Sequence, residues 1–182
     1  TAVGQWFDRH DTWAEQASVW TDYMARSCYL LQQGHFAADI VYYYGEDNNI
    51  SALFGHHAPD IPQGYAYDYI NPDALINLLQ AKDGKLVTPS GMNYRVLVLD
   101  MNVRRMSMPV LRKIAQLADA GVIICGAKPE IPASLTDDKA EFQQLVEQVW
   151  SSGKPNVTTG ISLAEVLAAH GIAPDATFAT SA

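Results

Sequence analysis

Apolar positions along this chain alternate between two rhythms. Continuous runs of four or five, such as Val96–Leu99 and Val122–Cys125, are too short for helices and fit strands buried on both faces. Between them lie stretches with apolar residues three and four apart, the period of amphipathic helices. The first, expected over 12–33, opens on a capping box of Thr12 and Glu15 and closes at Gly34. Trp13, Ala17, Trp20, Met24, Cys28 and Leu31 form one apolar line on it, and Val19, Tyr23 and Leu30 a second. Only one line can face a sheet, so the other implies a further partner.

Residues 37–44 read as the first sheet strand, and 50–69 as a long connection rich in Gly and Pro. Asn71 and Pro72 start a short helix bearing Ala74, Leu75, Leu78 and Leu79. A short strand follows at 86–88, then the buried strand beginning near Tyr94. Ser107 is expected to cap a helix through Ala118 that stops at Gly121. After the strand at 122–125 come a helix over 140–150, a strand at 157–159, and a helix capped by Ser162 with Glu165 that ends before Gly171. Strands alternating with helices predict an α/β fold, a three-layer αβα sandwich on a mostly parallel sheet preceded by a long N-terminal helix. Residues 1–34, 35–172 and 173–182 separate as leading helix, sandwich and tail.

A length of 182 residues with 48% hydrophobic content suffices for one such core. Twelve basic against twenty acidic residues leave a net charge of −8, which disfavours nucleic acid. Arg95, Arg104, Arg105, Arg112 and Lys113 fall near one another and form either an anion site or solvated helix-start residues. No apolar run reaches the roughly 20 residues of a membrane span, and no signal-peptide pattern opens the chain. Thr1 is not a natural start, so a piece of something longer is expected. Asn49 and Asn156 sit in short glycosylation patterns.

Chemistry is sparse. Cys28 and Cys125 are no disulfide framework and read as small buried groups. Cys125 ends a predicted strand with only one glycine after it and lacks the Gly-x-Cys-x-Gly turn of a nucleophile elbow. His56 and His57 would point to opposite sides of an extended chain, so no metal site is assigned. Glycine-rich phosphate cradles are missing. Tyr42, Tyr43, Tyr44, Tyr65, Tyr67 and Tyr69 are either stacking surfaces for a sugar ring or ordinary strand residues. In open α/β sheets the loops after strand ends form the binding crevice, which makes Glu46 and Asp47, after the first strand, crevice or interdomain candidates.

The runs Phe7-Asp8-Arg9-His10-Asp11-Thr12-Trp13, Trp20-Thr21-Asp22-Tyr23-Met24-Ala25-Arg26, Ala38-Asp39-Ile40-Val41-Tyr42-Tyr43-Tyr44-Gly45-Glu46-Asp47, Gly64-Tyr65-Ala66-Tyr67-Asp68-Tyr69 and Tyr94-Arg95-Val96-Leu97-Val98-Leu99 resemble a segment of the α-L-rhamnosidases of glycoside hydrolase family 106. The resemblance spans nearly the whole chain. It implies that residues 1–34 are the loop and last helix of an upstream (β/α)8 barrel, and that 35–172 form a flavodoxin-like or class I glutamine-amidotransferase-like domain. The implied reaction is inverting hydrolysis of terminal α-L-rhamnose, with its catalytic glutamates and calcium upstream in the barrel, so this chain is expected to be inactive alone. Barrel active sites form at the C-terminal face. Asp8, Arg9, His10 and Trp13 would there line or support the sugar pocket, or else anchor the helix. The implied partners are the barrel and a rhamnose-bearing carbohydrate, in a periplasmic or secreted bacterial enzyme. The rival is a free-standing flavodoxin-like module for ligand binding or association.

Overall fold

The structure, a computed structural model, describes residues 10–47 and 59–177. It divides between Phe36 and Ala37 into two units.

In the first unit a 3-10 turn, Ala14–Gln16, leads into helix α1, Ala17–Leu31. The capping box expected of Thr12 and Glu15 does not form. Ala14 N instead donates to Asp11 O at 3.1 Å and Gln16 N to Trp13 O at 2.9 Å. The tighter turn satisfies these two backbone donors internally and moves the N-cap to Trp13. Neither apolar line of α1 has a buried residue. Val19, Tyr23, Leu30 and Leu31 are 63–86% exposed.

The second unit is built on a sheet of β1 (Ile40–Tyr43), β2 (Tyr67–Ile70), β6 (Val96–Leu99), β8 (Ile123–Gly126) and β10 (Val157–Thr158). Its spatial order is β10-β8-β6-β1-β2, with every pairing parallel. Numbering these five strands along the chain gives 2-1-3-4-5, the flavodoxin-like doubly wound order. Side chains alternate across it. Val41, Tyr43, Leu97, Leu99 and Ile124 share one core with helices α2 (Pro72–Asn77), α3 (Met108–Asp119) and α4 (Lys139–Trp150). Ile40, Tyr42, Val96, Val98 and Cys125 share another with Val166 and Leu167 of helix α5 (Leu163–Ala169) and with Ile172. Two apolar faces on one sheet account for the continuous runs: every second residue serves a different layer. The αβα sandwich is thus present.

Several boundaries differ from the sequence reading. The first strand is Ile40–Tyr43 rather than 37–44, and the expected connection from 50 to 69 ends in the edge strand β2. Its residues Tyr67, Asp68 and Tyr69 are only half-buried, and an edge strand carrying Asp68 lacks the apolar run of a central one. Helix α2 stops at Asn77, and strand β4 (Lys85–Val87) is the middle of an antiparallel meander between β3 (Gln80–Lys82) and β5 (Asn93–Tyr94). Two-residue strands β7 (Arg105–Met106) and β9 (Ile131–Pro132) pair beyond the main sheet.

Caps proved more legible. Asn71 Oδ1 accepts from Ala74 N at 2.8 Å, and Ser162 with Glu165 closes a reciprocal capping box on α5. Ser107 occupies the N-cap of α3, but its hydroxyl makes no cap bond. As far as it is described, the stretch read as a tail is tied down. Asp175 Oδ2 accepts from Ala66 N at 2.7 Å, and Ala176 N donates to Gly64 O at 3.0 Å. Gly64 has φ +89°, and a Cβ there would strike Ala176 O, so this backbone crossing requires glycine.

Candidate functional site

Strand order in the sheet reverses between β1 and β6: the chain leaves β1 for β2 on one side and β6 for β8 on the other. Such a switch point opens a crevice beyond the strand carboxyl ends, where doubly wound folds place ligands. A crevice of about 340 Å³ lies here, lined by Tyr42, Asp60, Val98, Met101, Cys125 and Ile161 among others. Its floor depends on Gly126, at φ +122°, where a Cβ would strike Leu99 O.

Tyr42 holds one wall. Its hydroxyl donates to Asp100 Oδ2 at 2.8 Å, while Asp100 Oδ1 accepts from Asn102 N at 2.7 Å. Asp100 is 5% exposed, so these bonds hold its carboxylate at the end of β6. Burial first, and then the bond to Asp100, push the Tyr42 phenol far above its ordinary range. Cys125 is 3% exposed, and burial pushes its thiol up to about 12. At neutral pH it is a protonated wall residue, not a nucleophile. Ser162, also in the lining, donates its hydroxyl to Glu165 Oε2 at 2.7 Å.

Four of the six tyrosines read as stacking surfaces are turned on one another. The Tyr69 ring meets Tyr42, Tyr44 and Tyr67 edge to face at 5.9, 6.2 and 5.3 Å. Three of the five basic residues that could have formed an anion site are in separate ion pairs: Arg95 with Asp39 at 3.8 Å, Arg104 with Glu130 at 2.6 Å and Arg112 with Glu141 at 2.6 Å. Asn156 donates its side-chain amide to Ala118 O and Val122 O at 2.9 and 2.8 Å, a structural use of that side chain.

Glu46 accepts a hydrogen bond from the N-cap backbone, Ser107 N, at 2.6 Å, the donor that a capping-box carboxylate would serve, while the Ser107 hydroxyl itself makes no cap bond. Asp47 beside it is exposed. In the first unit, His10 is exposed and Trp13 is 42% exposed, just ahead of the 3-10 turn. Asp8, Arg9, His56, His57 and Asn49 lie outside the described residues. Among the described residues, no group of three or more His, Cys, Asp or Glu side chains is gathered to hold a metal ion. Nor is any helix long and apolar enough to cross a membrane. Sequence reasoning missed Asp60 and Asp100. An acid directly following a buried apolar run was the available signal for Asp100.

A family model described as alpha-L-rhamnosidase matches residues 1–182. A Formosa agariphila protein provisionally named a β-glucuronidase is 34% identical over 173 residues, which are 93% of this chain and 14% of that protein. The solved structure of a rhamnosidase from Novosphingobium sp. PP1Y superposes with a TM-score of 0.85 at 38% identity, over 94% of this chain and 17% of that one. The chain therefore spans less than a fifth of the length of these relatives. Sequence and fold agree along nearly its whole length, and the chain belongs to the α-L-rhamnosidases of glycoside hydrolase family 106.

Proposed function

We propose that these residues are an accessory portion of a larger α-L-rhamnosidase, comprising the last loop and helix of a catalytic barrel followed by an α/β domain. The carrying observation is α1, an apolar helix without a buried residue, in a chain that spans 17% of a rhamnosidase. Exposed apolar surface of this kind marks a contact with a missing body.

The whole enzyme removes terminal α-L-rhamnose by inverting hydrolysis, which needs one carboxylic acid to protonate the leaving oxygen and one carboxylate to activate water on the opposite ring face. Among the described residues the crevice has one lining carboxylate, Asp60, and the reaction is assigned to the barrel upstream. The calcium implied by the resemblance belongs with the upstream barrel; among the described residues no group of three or more His, Cys, Asp or Glu side chains is gathered to hold it. Two relatives whose names specify different sugars share this portion, as expected of a part that does not choose the sugar. The loop before α1 contributes at most to the pocket, with Asp8, Arg9 and His10 bonding hydroxyls and Trp13 packing beside them. Glu46 and Asp47 serve the α/β domain, with Glu46 holding α3.

Kinetics on an aryl α-L-rhamnoside test this reading. The intact enzyme is expected to turn over while the 182-residue chain is inert, and Arg9→Ala in the intact enzyme raises KM. Hydrolysis by the isolated chain, or an Arg9→Ala enzyme with unchanged kinetics, contradicts it.

A further inference from the structure

The switch-point crevice has a composition unlike that of a phosphate-binding relative of its fold. Doubly wound domains hold phosphorylated ligands here with glycine-rich turns, free helix N-termini and cationic side chains. Among the described residues that line it, none is Lys or Arg. The start of α5, the one helix beginning at the crevice, is already occupied by a carboxylate. Glu165 Oε2 accepts from Ser162 N at 2.9 Å and from the Ser162 hydroxyl at 2.7 Å. Asp60 adds an exposed carboxylate to the rim, in a chain of net charge −8. An incoming anion would meet like charge with no cationic side chain among the described lining residues to offset it.

The same walls favour a different guest. Asp60 offers free acceptor oxygens, which suit hydroxyl donors. Two apolar side chains of the lining stand open to solvent, Met101 at 67% and Ile161 at 48% exposed. Val98 adds a buried apolar side chain to the same lining, and apolar walls suit the C–H face of a sugar ring. A volume of about 340 Å³ takes one or two pyranose units and falls in the range of small-molecule sites.

We propose that this crevice is a binding subsite for an uncharged, hydroxyl-rich ring, a neutral monosaccharide or the end of a neutral glycan, and that it rejects phosphorylated ligands. Carboxylate to hydroxyl bonds from Asp60 orient the ring, and Met101 and Ile161 cover its apolar face. The choice of a sugar over other neutral guests rests on the glycosidase reading; the rejection of anions does not.

Heteronuclear NMR titration of the 182-residue chain tests the subsite without any catalytic readout, so its failure is separate from failure of the glycosidase reading. L-Rhamnose, D-galactose, riboflavin 5′-phosphate and inorganic phosphate serve as probes. A neutral sugar is expected to give saturable shifts at Cys125, Gly126, Gly160 and Ile161, with neither phosphate compound shifting them. Asp60→Ala should weaken the sugar about tenfold by removing a charged acceptor, and Ile161→Arg should abolish it. Both positions are exposed, and an unchanged spectrum elsewhere in each variant confirms that it is folded. Absence of saturable binding by either sugar, binding unaffected by both substitutions, or phosphate binding at the same amides would overturn the proposal.

Discussion

At the scale of single residues, environment decides what each chemically suggestive side chain does. Cys125 stands at a strand end beside a crevice, the place of a nucleophile in a related fold, but burial keeps its thiol protonated to about pH 12. Because the folded-state value lies above the ordinary 9.0, the folded chain binds the extra proton, and stability falls as pH rises from about 9 to about 12. Cys28 is exposed. A thiol-specific chromogenic reagent at pH 8 should therefore titrate one thiol promptly, Cys28, and the second only when the chain unfolds. Prompt reaction of both would show Cys125 to be open. Glu46 illustrates the opposite case, an acid on a crevice loop whose carboxylate is committed to Ser107 N. Glu46→Ala should cost about 1–2 kcal/mol in urea denaturation through loss of a charge-assisted cap. An unchanged midpoint would release Glu46 for another role.

At the scale of elements, the capping box of α5 carries a pH signature. The Ser162 hydroxyl and backbone N–H hold the Glu165 carboxyl below its ordinary 4.5. Stability from this cap is present above about pH 4.5 and is lost as pH falls through the depressed value. Wild type and Glu165→Ala should accordingly converge in thermal midpoint as pH falls through that window. A gap that stays constant would mean that charge plays no part. The elements legible in the sequence were those whose signal is local. Runs such as Val96–Leu99 marked the central strands, Phe142, Val146 and Val149 the buried line of α4, and Asn71 and Ser162 the caps. Strand β2 was not legible, because an edge strand reading Tyr-Asp-Tyr-Ile gains its identity from pairing with β1. The Thr12 and Glu15 pattern was present, yet the backbone chose a 3-10 turn. The crevice was legible only as a location. Its Tyr42 to Asp100 bond joins residues 58 apart, a meeting set by parallel register that no local pattern encodes.

At the scale of the molecule, a doubly wound domain supplies its own two cores, while the helix ahead of it has none. Trp20 at 52%, Tyr23 at 63% and Leu30 at 69% exposure lie on a 15-residue helix with no buried side chain. Most helical stability in proteins comes from packing an apolar face, and a helix of this length is marginal by itself. Such a helix fits the proposed contact with a second body, the barrel that the rest of a rhamnosidase would provide. Amide hydrogen exchange along Ala17–Leu31 in the 182-residue chain and in the intact enzyme tests this most directly. The predicted result is exchange at least about tenfold slower in the intact enzyme, as expected when a locally opening helix becomes part of a cooperative core. Equal exchange in both would contradict the account, because α1 would then gain nothing from the rest of the protein.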